Sequence, residues 1–383
     1  MPPQKMPTTD VMRGPARTAR GAGKERKREE RAPTNLPLEE VGSAPDKQEE
    51  TEDMRKLKLR WIVLSAVVLA LAIGGAAFAA GKAFFAIATG GTGGIYYPLG
   101  GALAQAISDK AEGISATAQS GNASVSNCNL VARGDVETAF VQNNVADEAY
   151  NGKGAFEGRK LENLRVIAAL YPETIQIVAR KVTNIKTMGD AKGKIIAVGD
   201  KGSGTEVDTR NILSVHNLTY DDIKPLYVDY SVAAQRLQDD QGDVLFKTAG
   251  YPTSAIIELL SGKECNFVSL DAGAVKQLCA KFPFYVPITI PPNTYKGQTE
   301  PVNTVAMMAL WVTNAKLDTE MVYKVTKALW DKGPKKDQEC GADVLARIHD
   351  QGKNIKLETA MSGVTIPLHP GAEKYYKEVG LIK

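Results

Sequence analysis

Residues 83–107 read AFFAIATGGTGGIYYPLGGALAQAI. An apolar, β-rich run passes through a loop of glycine and threonine into a stretch whose apolar residues, Leu99, Leu103, Ala106 and Ile107, recur at spacings of three and four. The first part suits a strand covered on both faces and the last a helix laid over it. The helix is expected to open near Pro98, because proline is tolerated in a first turn. Gly90, Gly91, Gly93 and Gly94 occupy the junction.

The same order of strand, loop and helix recurs in three further stretches. ISATAQSGNASVSNCNLVARG (114–134) has Ser120, Gly121, Asn122 and Ser124 at its junction. KIIAVGDKGSGTEVDTRNIL (194–213) has Gly202, Ser203, Gly204 and Thr205, and VLFKTAGYPTSAIIELL (244–260) has Gly250, Tyr251, Pro252 and Thr253. A helix that starts directly after such a loop leaves its first N–H groups unpaired, with the positive end of the helix dipole behind them, and so suits an anion. Glycine admits close approach to the backbone, and Ser or Thr hydroxyls add hydrogen bonds. Any α/β protein has some Gly, Ser and Asn in such loops, so the reading rests on the repetition. Ligands of open α/β sheets sit beyond the carboxyl ends of strands, so two facing lobes would bring these loops to one cleft.

Around these junctions, strands are expected at 83–89, 114–119, 138–142, 166–171, 174–180, 194–199, 225–229, 244–249, 266–270 and 304–312, with helical spacing between them. That alternation predicts an α/β fold with a parallel or mixed sheet. Ile256, Ile257, Leu259 and Leu260 mark one helix face. Residues 282–301 carry Pro283, Pro287, Pro291, Pro292 and Pro301 and read as a loop-rich return connection. From Lys316 onward the chain reads as mostly helical, with Met321, Val325 and Leu329 on one face and Leu345 and Ile348 on another.

The N-terminal region reads differently. Basic residues gather between Arg13 and Arg31 and acidic ones between Glu39 and Asp53, self-repelling blocks that predict a disordered tail over 1–53. Residues 54–79 follow, MRKLKLR and then an uncharged apolar run, with Ala77-Phe78-Ala79 suited to cleavage after Ala79. This is a signal peptide or an uncleaved membrane anchor. The tail is long for a signal peptide, so translation is expected to start at Met54.

The 383 residues, 43% of them hydrophobic, allow more than one lobe. A net charge of +3 without a basic, aromatic-rich cluster argues against nucleic acid as a partner. Of Cys128, Cys265, Cys279 and Cys340, the second and third close the shortest loop and are the expected disulfide, with buried free thiols as the alternative. The absence of CxxC and of histidine at ligand spacing argues against a metal site. GSGT lacks the lysine of a phosphate loop, the first junction lacks GxGxxG spacing, and neither GxSxG nor HExxH occurs. Asp229, Asp243 and Asp271 could pair as acid and base, but carboxylates after strands are commonly caps. No enzyme activity and no cofactor are expected.

Across these residues the sequence resembles the TAXI family, the extracytoplasmic solute-binding proteins of one class of TRAP transporters. The resemblance rests on ATGGTGGIYYPLGGALA, AQSGNASVSN, AFVQNNVADEAYNGKGAF, LYPETIQIVAR, VGDKGSGTEVDTRNIL, GYPTSAIIEL and IPPNTYKG. It implies a two-lobed periplasmic-binding-protein fold of type II, with two mixed sheets flanked by helices and a hinge of crossing strands. Lobe 1 would comprise 83–173 plus 306–383, and lobe 2 would comprise 174–305. It implies a monomeric periplasmic receptor that closes on a small anionic or zwitterionic, carboxylate-bearing solute and hands it to an ion-gradient-driven permease. Carried over by motif, Thr92, Gly93, Gly94 and Tyr96 would cradle the ligand from the first loop, Ser120 and Asn122 from the second, and Ser203, Gly204 and Thr205 from the third. Gln142, Tyr171 and Tyr251 would form side walls, packing or hinge roles being the alternative for the two tyrosines. Asn144 and Gln176 depart from the family, which often has Asp and His there. A membrane-anchored sensor of the same fold is the other reading, and an α/β enzyme a third.

Overall fold

The computed structural model describes residues 81–334 and 338–383. The tail at 1–53 and the segment at 54–79 lie outside the described residues. One ten-stranded mixed sheet runs through the described chain in the order β2-β1-β3-β10-β4-β7-β5-β6, with β8 pairing β4 and β9 pairing β10. Its strands are β1 Ala83–Ala88, β2 Ile114–Gln119, β3 Thr138–Gln142, β4 Leu164–Arg180 and β5 Ile195–Ala197, then β6 Lys224–Leu226, β7 Val244–Ala249, β8 Cys265–Phe267, β9 Val286–Ile290 and β10 Val302–Asn314.

Two parallel triplets make up its ends. β1 runs parallel to β2 and β3, and β5 runs parallel to β6 and β7. Between them stand β4 and β10, antiparallel to each other and to their outer neighbours. β4 pairs with β10 through Leu164 to Thr174 and with β7 through Thr174 to Ala179, so a single strand serves both ends of the sheet. The α/β class and mixed pairing are as expected, but the strands form one sheet where two were expected, because β10 pairs with β3 of one triplet, β4 with β7 of the other, and β4 and β10 with each other.

Helices α1 Tyr96–Lys110, α2 Ser124–Arg133 and α3 Asn143–Asn151 follow the strands of the first triplet, and α4 Gly204–Val215, α5 Tyr230–Gln238 and α6 Ser254–Gly262 follow those of the second. α7 Ala272–Lys281 follows β8, and α8 Thr319–Trp330, α9 Gly341–Ile348 and α10 Pro370–Glu378 complete the C-terminal part. Both faces of each triplet are covered. Phe85, Ile87, Phe140 and Trp311 pack with Leu99 and Leu103 of α1 and Val325 and Leu329 of α8, while Ala86, Ala88 and Val141 pack with Cys128 and Val145. At the other end Ile196 and Phe246 meet Ile212 and Leu213, and Ala197 and Leu245 meet Leu237 and Ile256. Double coverage is why β3 and β7 are buried at every position and are largely apolar.

Several expectations need correction. The strands expected at 166–171 and 174–180 are one, because Pro172 faces Met308 beside a bulge, where a missing N–H is tolerated. Within the proline-rich return, Val286–Ile290 forms β9, and Pro287 is accommodated because β9 pairs with β10 alone. α1 opens at Tyr96, with Pro98 inside its first turn. Ile257 and Ile348, expected to face the core, are exposed, 54% and 53%. Cys265 and Cys279 are free thiols that pack against different apolar clusters, as Cys128 and Cys340 are also free.

Leu329 is fully buried where α8 meets the first triplet. Leu329→Ala is expected to lower unfolding free energy by about 2–5 kcal/mol in urea titration, the range for removing a buried leucine side chain.

Candidate functional site

The parallel strands of both triplets point their carboxyl ends at one place. Gly90, Gly91 and Gly94 lie beyond β1, Ala123 and Ser124 beyond β2, and Gln142 at the end of β3. Asp200, Ser203, Gly204 and Thr205 follow β5, Tyr230 follows β6, and Thr248 and Ala249 end β7. With Ile95, Tyr96 and Glu173 they line a pocket with a cavity volume of about 30 Å³.

Two helix starts face it. Ser203 caps α4, its Oγ accepting from Glu206 N–H at 3.1 Å, and the next residues, Gly204 and Thr205, line the pocket. Ala123 adopts φ 61° and ψ −144°, which starts α2 at Ser124 on the pocket wall. Asn127, fully buried, donates to Thr89 O at 2.9 Å and Phe140 O at 2.8 Å and ties α2 to the ends of β1 and β3.

Two carboxyl groups, Glu173 and Asp200, also line the pocket. Glu173, 3% exposed in the middle of β4, accepts from the Tyr96 hydroxyl at 2.5 Å. Burial pushes its carboxyl up to about 8, against the pull of the Tyr96 hydrogen bond and of Lys247. Burial also raises Asp200, with Asp229 adding to the shift. Lys247, fully buried on β7, donates to Gly93 O at 2.8 Å and stands 3.5 Å from the Tyr230 ring centroid. Burial drives its amine well below the usual lysine range, while Glu173 and Asp229 pull it back.

The hydroxyls of Thr205 and Tyr230 are spoken for. Thr248 N–H donates to Thr205 Oγ1 at 3.3 Å, and the Tyr230 hydroxyl donates to Thr248 O at 3.1 Å. The Thr205 hydroxyl therefore donates to Tyr230 and closes the circuit.

Of the expected site residues, Gly94, Tyr96, Gln142, Ser203, Gly204 and Thr205 line this pocket. The others do not. Thr92, Ser120 and Asn122 are exposed away from it. Gly93 meets the other end of the sheet: a Cβ there would fall 2.4 Å from Ser231 Oγ, so its missing side chain makes room for α5. Tyr171 is fully buried in the core, and Tyr251 packs on the cluster beneath α5 and α6. Thr205 contributes backbone, its hydroxyl being engaged. Glu173, Asp200, Ser124, Tyr230 and Thr248 were missed, although Glu173 and Lys247 each stand out as a lone charge inside an apolar strand.

Such a pocket, at the carboxyl ends of two parallel strand sets bridged by long antiparallel strands, defines an α/β protein with its site at the sheet's midline. Residues 87–380 match the model of the NMT1-like family, and the chain belongs to that family. Among solved structures it is similar to PhnD1 from Prochlorococcus marinus in complex with methylphosphonate, with 8% identity over 78% of this chain and 99% of that one and a TM-score of 0.47. It is also similar to a binding protein component of an ABC phosphonate transporter from Pseudomonas aeruginosa, at 13% identity over 72% and 80%, TM-score 0.44. The periplasmic aliphatic sulphonate binding protein SsuA from Escherichia coli is a third, at 13% over 69% and 74%, TM-score 0.37.

Because the Glu173 carboxyl holds its proton in the fold up to about 8 but releases it near 4.5 when unfolded, its contribution is full below 4.5 and is lost as pH rises towards 8. Between pH 5 and 8, wild-type stability is expected to fall relative to Glu173→Gln by up to about 1.4 kcal/mol per pH unit. Urea titrations of both proteins at several pH values check this, and parallel curves would contradict it.

Proposed function

We propose that the protein is an extracytoplasmic solute-binding receptor that holds a small carboxylate-bearing solute in this pocket and delivers it to a membrane permease. The observation that carries the reading is the convergence of six parallel strand ends, β1, β2, β3, β5, β6 and β7, on one pocket faced by the starts of α2 and α4. Backbone N–H groups at helix starts suit a carboxylate. Asp200 lines the same pocket beside a Glu173 held protonated by burial, and no Lys or Arg lines it among the described residues, so nothing there offsets a second negative charge, which favours a zwitterion over a dianion. An amino acid such as glutamate or glutamine is therefore preferred to a dicarboxylate. In this reading the lobes are 83–173 plus 306–383 and 174–305, joined by β4 and β10. The receptor works in the periplasm as a monomer, with a TRAP-type, ion-gradient-driven permease as partner, as the TAXI resemblance implies.

A thermal-shift screen over amino acids, monocarboxylates and dicarboxylates tests the reading. A solute present at a hundred times its Kd stabilises by about 2.7 kcal/mol, so an amino acid is expected to raise the melting temperature by several degrees. If the whole panel leaves the melting temperature unchanged, the reading fails. Gly204→Ala is expected to abolish the shift, because a Cβ at Gly204 would lie 1.1 Å from Gln142 Oε1 and displace that wall into the pocket.

A further inference from the structure

Asp208, on α4, is fully buried and does not line the pocket, yet it is the most heavily hydrogen-bonded carboxylate near it. Its Oδ2 accepts from Gln142 Nε2 at 2.6 Å and from the Thr248 hydroxyl at 2.7 Å. Its Oδ1 accepts from the Tyr285 hydroxyl at 2.7 Å and from Asn144 Nδ2 at 3.3 Å. Tyr285 in turn accepts from Asn211 Nδ2 at 2.9 Å, which leaves its own hydrogen for Asp208. Two donors to each oxygen match the acceptor capacity of an ionised carboxylate.

The consequence falls on Gln142. A glutamine side chain carries a donor and an acceptor on one planar group, and a carbonyl oxygen 2.6 Å from a carboxylate oxygen would set lone pairs against each other. Only the NH₂ can stand there. The carbonyl is thereby turned away from Asp208, and Oε1 accepts from Ser124 Oγ at 3.3 Å and lies over Gly204, both residues of the pocket lining.

We propose that Asp208 is a positioning residue that fixes the polarity of the pocket wall at Gln142, so that this wall presents an acceptor and selects solutes offering an N–H or O–H there. The inference deepens the receptor reading and rests on it for the identity of the solute, but not for the orientation of Gln142. In Asp208→Asn the carboxylate that forces this orientation is gone, and Gln142 is free to turn over, offering its carbonyl to the new NH₂ and its own NH₂ to the pocket.

Two measurements on the full chain decide it. In ¹⁵N-labelled protein, the Gln142 side-chain amide, identified by its disappearance in Gln142→Leu, is expected to exchange with solvent at least ten-fold more slowly than exposed glutamine amides. That protection is expected to be lost in Asp208→Asn. In calorimetric titrations, the ratio of Kd values for L-glutamate and 2-oxoglutarate, or for L-glutamine and L-glutamate, is expected to move at least ten-fold in Asp208→Asn towards the member with the acceptor. Leu329→Ala, which costs stability away from this network, is expected to leave both ratios within two-fold of wild type. A Gln142 amide that exchanges like an exposed one in the wild type, or ratios unchanged in a folded Asp208→Asn, overturns the proposal. Should that variant fail to fold, exchange in the wild type decides alone. Should none of the three solutes bind, the solute assignment falls while the loss of exchange protection between wild type and Asp208→Asn still tests the hydrogen bond from Gln142 to Asp208.

Discussion

Each backbone N–H and C=O of a buried strand needs a partner, and Leu164–Arg180 is too long for one set of neighbours to supply them. The first part of β4 is satisfied by β10 and the last by β7 and β8, and β10 is divided in the same way between β3, β4 and β9. That requirement places the two parallel triplets at opposite ends of one sheet. It also sets their carboxyl ends toward each other, because β4 and β10 run antiparallel to the strands they join. The pocket is a result of strand pairing before any side chain is considered.

The side chains then hold together what pairing has brought near. Lys247 donates to Gly93 O, Ser126 N–H donates to Gly202 O at 3.1 Å, and Gln142 and Asn144 donate to Asp208. Each of these bonds joins one triplet, or a loop or helix that follows it, to the other. Lys247 and Asp208 are fully buried, and burial disfavours the charged form of each. They are compensated differently. Asp208 has a full set of donors, whereas Lys247 has a carbonyl and an aromatic face, both weaker partners for an ammonium.

Much of the fold could be read from periodicity and punctuation. Ile114–Gln119, Thr138–Gln142 and Val244–Ala249 fall where strand-like runs end at glycine, serine or asparagine, and the burial of Thr138–Gln142 and Val244–Ala249 at every position accounts for their largely apolar interiors. The merging of two expected strands at Pro172 and the pairing of Pro287 were not legible, since whether a missing N–H matters depends on a neighbour the sequence does not identify. The site was half legible for a similar reason. Gly204 and Ser203 declare themselves by type and place. Thr92 and Asn122 carry the same types but turn outward, and Tyr230, Thr248 and Asp200 come from strand ends that look ordinary until the second triplet closes on the first.

The narrowness of the pocket has a kinetic side. With a cavity volume of about 30 Å³ and hydrogen bonds tying its flanks together, the pocket must widen to take a guest of more than a few atoms. Its residence time would then be governed by how often Gly93 and Gly202 part from the groups they touch, and not by how strongly the guest itself is gripped. A downstream protein that pried those two loops apart would set the pace of unloading without ever touching the cargo.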